Sequence, residues 1–213
     1  FTAQVAAILM GFFTRVVFTR TLSEGYVGIN GLFTDILNIL SLSELGVGTA
    51  ITYALYGPIA RNDIKKQQIL MRMFRTFYRI TAGVVLGAGL CLIPFLDILM
   101  KDRPDVDHLI VIYLLYLLNS VVSYLLIYKK TLVDAYQMNY ITVMYHNGFL
   151  ILQDLCQIII LLVTGNFILF LLAAVVCTIG GNICMSRKAD SLFPYLKEPC
   201  RDHLSQGEHQ GIM

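Results

Sequence analysis

Of 213 residues, 57% are hydrophobic and only 14% are charged, and the mean hydropathy is +0.69. A soluble domain of this size carries about a quarter charged residues, so the chain lacks the polar surface that a fold in water needs. The net charge of +2 and the absence of any long basic tract or recognition motif give no reason to expect nucleic acid as a partner.

A helix needs about 20 apolar residues to cross a bilayer. By that rule the sequence predicts an all-α polytopic membrane protein of six spans: 1–21, 29–57, 78–100, 109–128, 138–163 and 167–186. The first run lacks a charged leader and a small-residue cleavage site and carries Arg15 and Arg20, so it does not read as a cleaved signal. It starts inside an apolar stretch, and the polar tail 198–213 stops without a terminator; both ends are expected to be cuts in a longer chain.

The second run carries Asp35, Asn38, Ser41 and Glu44 in its first half. Each of these costs free energy in hydrocarbon unless it faces other helices or a water-filled cavity. At about 100° per residue, Asn30, Thr34, Asp35, Asn38, Ser41, Glu44, Thr49, Thr52 and Tyr53 fall within roughly half the circumference, with only Ser43 off that arc. A polar interior inside a membrane is the expectation, and such interiors handle polar solutes.

Residues 63–79 predict an amphipathic helix lying near anionic headgroups and feeding into the third span. Asn62 or Asp63 is its candidate cap. Lys65, Gln68, Arg72, Arg75 and Arg79 line one side, and Ile69, Leu70, Met73, Phe74 and Phe77 the other. Orientation and anchoring is the simpler role; gating or lipid contact is the functional one. Between the fifth and sixth runs only Thr164, Gly165 and Asn166 intervene, which predicts a tight reversal.

The placement of Lys and Arg sets the orientation. Twelve lie on one side (Arg61, Lys65, Lys66, Arg72, Arg75, Arg79, Lys129, Lys130, Arg187, Lys188, Lys197, Arg201) and three on the other (Arg20, Lys101, Arg103), with Arg15 inside the first span. The connector 58–79, the connector 129–137, the tail and the amino end are therefore expected in the cytoplasm. Cys91, Cys156, Cys177 and Cys184 fall inside spans and Cys200 in the tail, none with ligand spacing, so no metal or cofactor is expected. No nucleophile elbow, phosphate-binding loop or metalloprotease motif is present, and no enzyme activity is expected. An intramembrane enzyme built from Asp35, Glu44 and Asp154 is the residual possibility in that class.

Five stretches resemble the amino-terminal half of bacterial polysaccharide flippases, the O-antigen and capsule-repeat transporters of the multidrug/oligosaccharidyl-lipid/polysaccharide exporter superfamily. They are RVVFTRTLSEGYVGINGLFTDILNILSLSE (15–44), GTAITYALYGPIARND (48–63), GLCLIPFL (89–96), SYLLIYKKTLVDAYQMNYI (123–141) and NICMSRKADSLFPYLK (182–197). Tyr136 departs from the pattern, which expects a small acidic or polar residue before Gln137.

The resemblance implies that residues 1–197 are the amino-terminal six-helix lobe of a two-lobe transporter in the bacterial cytoplasmic membrane, with 198–213 a cytoplasmic connector. The implied substrate is an undecaprenyl-pyrophosphate-linked oligosaccharide, flipped by alternating access. Implied partners are that substrate, membrane lipids, a carboxy-terminal lobe or second copy, and polysaccharide polymerase machinery. Arg15 and Arg20 can hold phosphates, since guanidinium offers bidentate geometry, and Asn38 and Asn119 can hold sugar hydroxyls. Asp35, Glu44 and Asp154 are the cavity or ion-coupling carboxylates, and Gln153 adds polar lining. Beside these stand plainer readings: Arg20 snorkelling, Arg15 paired with Asp35 or Glu44, and Asn38, Asn119 and Asn182 bridging helices. The other classes left open are a multidrug or small-cation exporter of the same superfamily and a non-transporting membrane scaffold.

Overall fold

The tight reversal at Gly165 organises the carboxy-terminal half of the bundle. Gly165 has φ 59°, the left-handed conformation that ends a helix at little cost for glycine. Asn166 then caps the next helix, its Oδ1 accepting from the amides of Ile168 at 2.8 Å and Leu169 at 3.3 Å. The computed structural model describes residues 2–41, 47–96, 106 and 108–197. Among them are eight α-helices and no strand: α1 Thr2–Thr21, α2 Glu24–Ser41, α3 Val47–Ala60, α4 Ile64–Leu92, α5 Leu109–Leu125, α6 Ile127–Ala135, α7 Asn139–Thr164 and α8 Phe167–Leu192. Short 3-10 turns follow at Ile93–Phe95 and Pro194–Lys197.

Helix α1 packs along α7, α7 along α8, α8 along α5 and α5 along α4, while α2 sits against α5 and α4. Helices α3 and α6 pack together with α4 and α8 at the basic end. Two apolar cores result. One gathers Phe18, Phe33, Val85, Tyr113, Leu117 and Phe167. The other, at the basic end, gathers Leu55, Leu70, Phe74, Leu132, Val133 and Ala189. Outside the cores, Ile8, Phe12, Phe13, Ile80, Val84, Leu162, Val163 and Val176 point outward, an apolar coat that belongs in hydrocarbon rather than water.

Four helical stretches are long and apolar enough to cross a membrane: Ala3–Thr21, Ile64–Phe95, Asn139–Thr164 and Phe167–Leu192. A fifth is the bent pair α5 and α6, which meet at 41°. The fourth run, read as 109–128, is thus a straight helix to Leu125 with a broken continuation to Ala135. The run 29–57 is described only in part. It forms α2 and α3 on either side of residues 42–46, and those residues, Glu44 among them, lie outside the described part. Neither half reaches the length and apolarity of a full span.

Residues 63–79 also differ from expectation. They do not form a separate surface helix but are the first half of the unbroken 29-residue α4. Asp63 is the cap, its Oδ1 accepting from the Lys66 amide at 3.0 Å. Burial of Gln67, Leu70, Met71, Phe74, Tyr78, Thr81, Ala82, Val85 and Gly89 runs continuously through both halves. One helical stripe therefore joins the amphipathic segment to the span, and packing against α3 and α6 holds it upright.

Gln67 is fully buried yet satisfied. Its Oε1 accepts from the hydroxyls of Tyr136 at 2.8 Å and Tyr195 at 2.6 Å, and its Nε2 donates to the Pro58 carbonyl at 3.2 Å. This one amide joins the end of α3, the start of α4, the end of α6 and the turn after α8. It also gives Tyr136, the departure from the flippase pattern, a structural role. Burial and the hydrogen bond with Tyr136 hold the Tyr195 hydroxyl well above its ordinary value, so it remains a donor. Replacing Gln67 with Leu strands both hydroxyls, a loss expected at about 2–3 kcal/mol. The check is the thermal midpoint in detergent, with Tyr136→Phe and Tyr195→Phe each restoring part of the loss in combination.

Candidate functional site

Two cavities lined in part by polar residues share α7 as a wall. Gln153 and Asp154 are consecutive, so their side chains diverge by about 100°; one enters each cavity.

The smaller cavity, about 180 Å³, lies where α1, α2 and α7 meet, and Arg15, Asp154, Asn30 and Thr14 supply its polar lining. Gly11 lies beside Asp154 where α1 meets α7: a Cβ there would sit 3.8 Å from Asp154 Oδ2, in ordinary contact. The Thr14 hydroxyl turns back to the Met10 carbonyl at 3.0 Å. The Asn30 Oδ1 accepts from the Tyr116 hydroxyl, which holds the amide in place. A guanidinium and a carboxylate on different helices thus face one space, next to an amide. That set can bind an anionic group and carry a titrating carboxylate beside it.

The larger cavity, about 310 Å³, is floored by α8 and walled by α5, α6 and α7. Asn119, Ser123, Lys130, Thr142, His146 and Gln153 are among its polar lining. Asn182 stands on its floor and donates to the Val122 carbonyl at 3.0 Å, bridging α8 to α5. The Asn119 Oδ1 is buried without a hydrogen-bond partner among the described residues.

Arg15 and Asp154 are therefore brought together, and Asn119 is placed apart from them. The partner expected for Arg15 was Asp35 or Glu44; the carboxylate that shares its cavity is Asp154. Arg20, Asp35 and Asn38 line neither cavity and are exposed on α1 and α2. Glu44 lies outside the described residues. Sequence reasoning missed Lys130, Thr142 and His146 as cavity residues. A signal existed: Thr142, His146 and Gln153 stand four and seven residues apart on α7, which puts all three on one face.

The fold and its apolar coat define an all-helical membrane-embedded protein. No protein-family model, curated protein or solved structure matches the chain.

Proposed function

We propose that this chain is the amino-terminal lobe of a flippase for lipid-linked oligosaccharides, with α2 and α3 belonging to one span, the bent pair α5 and α6 forming another, and six spans in all. The observation that carries the reading is the cavity holding Arg15, Asp154 and Asn30, beside an α2 whose Asp35 and Asn38 are exposed. A carboxylate at mid-helix costs about 2.5–3.5 kcal/mol against lipid. This side of α1 and α2 is therefore the wall of a hydrated passage, closed on its far side by a second lobe or second copy. Exposure of Asp35 and Asn38 favours a transporter over a scaffold, in which neighbouring helices would fill that arc.

In this reading Arg15 takes the pyrophosphate, with Arg20 receiving it nearer the outer face. Asn38 offers hydrogen bonds to sugar hydroxyls. Asp154 is the carboxylate whose protonation or cation binding resets the lobe, with Asp35 and Glu44 as further candidates. The lobes rock about a midplane site between inward-open and outward-open states. The basic end lies in the cytoplasm of a bacterial cell.

Arg15→Ala is expected to leave the protein in the membrane and cause untranslocated lipid-linked repeat units to accumulate on the cytoplasmic leaflet. The measurement is the lipid-linked pool by leaflet-selective labelling, against membrane-protein abundance. Normal export in that variant would remove Arg15 from the site.

A further inference from the structure

The larger cavity is a groove open sideways, and its lining is graded along its length. Helices α5 and α7 both pack on α8, which forms the floor of the gap between them. Ser123 on one wall and His146 on the other are exposed, so the gap is open along its side rather than sealed. Thr142 and Gln153 are eleven residues apart on α7, which makes the groove roughly 16 Å long. Its volume is at the lower end of ligand pockets, which span about 300–1,000 Å³.

The two ends differ in chemistry. At the basic end stands Lys130. Its neighbour Lys129 is neutralised by Asp190 at 2.7 Å and donates to Ser186 at 2.8 Å, whereas Lys130 makes no ion pair with a carboxylate among the described residues. No carboxylate lines the groove. Toward the middle of the bundle stand Gln153 and Asn119, and the buried Asn119 Oδ1 has no hydrogen-bond partner among the described residues. A cation without a paired carboxylate attracts an anion, and an amide whose acceptor is unpaired gains from any hydroxyl or amide hydrogen that reaches it, because a buried polar atom left unmet is costly.

We propose that this groove holds the headgroup of an anionic membrane lipid that carries hydroxyls beside its phosphate. The phosphate rests against Lys130, the hydroxyls reach Asn119 and Gln153, and the acyl chains pass out through the gap between Ser123 and His146 into the bilayer. The sideways opening is what selects a lipid over a soluble phosphate ester. This site is separate from the Arg15 cavity and does not rest on the flippase reading.

The test is lipid retention by the purified protein in native mass spectrometry, with phosphatidylglycerol, phosphatidic acid, phosphatidylcholine and free sn-glycerol 1-phosphate as probes. Phosphatidylglycerol is expected to bind about tenfold more tightly than phosphatidylcholine. Lys130→Gln abolishes that preference and Lys130→Arg keeps it. Asn119→Leu removes the preference for phosphatidylglycerol over phosphatidic acid while leaving anion selectivity in place. Arg61→Gln, an exposed cation outside the groove, changes nothing. Equal loss in Lys130→Gln and Arg61→Gln, or equal binding of phosphatidylglycerol and phosphatidylcholine, overturns the proposal. Equal binding of free glycerol phosphate overturns its assignment to a lipid. A melting curve for each variant establishes that it is folded.

Discussion

Gly89→Val is expected to prevent the bundle from assembling. Helices α4 and α5 cross at this glycine, and a Cβ placed there would lie 3.2 Å from Leu117 Cγ, 2.9 Å from Cδ2 and closer still to Cδ1. Leu117 has nowhere to retreat, being 1% exposed and part of the larger core with Val85, Ile112 and Tyr113. The Tyr113 hydroxyl also donates to the Gly89 carbonyl at 2.8 Å, so separating the helices breaks a buried hydrogen bond as well. Even Gly89→Ala pits a helix-propensity gain of about 1 kcal/mol against an overpacking cost of about 1–3 kcal/mol. Valine adds two methyl groups and loses part of the propensity gain, so the balance is strongly unfavourable. The measurement is the yield of monodisperse protein in detergent, with the melting midpoint of Gly89→Ala. Leu117→Ala combined with Gly89→Ala is expected to be less damaging than the sum of the two single changes. A raised melting midpoint in Gly89→Ala, or a normal yield of folded Gly89→Val, would contradict the close crossing.

The second large effect is expected at Asp154. Asp154→Ala leaves the Arg15 guanidinium facing the cavity without the carboxylate that shares it. Under the proposed transport reading, export falls at least as far as in Arg15→Ala, because the titrating group is lost and the cation is left unopposed. If the two side chains act as a unit, the double alanine variant is less destabilised than the sum of the singles, with coupling on the order of 1 kcal/mol. Additive losses in the melting midpoint would mean that the two groups share a space but no energy. Asp154→Asn separates shape from charge: it keeps the hydrogen-bonding outline and removes the titration.

Several elements were legible in the residues alone. The runs 1–21, 138–163 and 167–186 correspond to α1, α7 and α8, because each is a long apolar stretch bounded by a turn or by polar residues. The reversal at Gly165–Asn166 and the cap at Asp63 were equally local, since both depend on one or two side chains and their own backbone. The break inside 109–135 left a weaker trace, as no apolar-to-polar boundary marks the point where it occurs. The amphipathic pattern of 63–79 was visible. That it feeds into the third span was expected too; that the two form one unbroken helix packed on α3 and α6 was visible only in the tertiary structure.

Composition and apolar spacing determined the class of this protein, an all-helical chain built for a bilayer, because the hydrophobic length of a helix is a property of consecutive residues. They also marked Arg15 and Asp154 as costly groups that need company in a membrane. Which company they keep was a matter for the tertiary structure alone. Asp154 shares a cavity with Arg15, 139 positions earlier in the chain, while its neighbour Gln153 joins Asn119 and Lys130 in a separate groove. A helix sends successive side chains in directions about 100° apart. Sequence proximity therefore cannot tell which of two cavities a residue enters; the packing of α1 and α8 on α7 can.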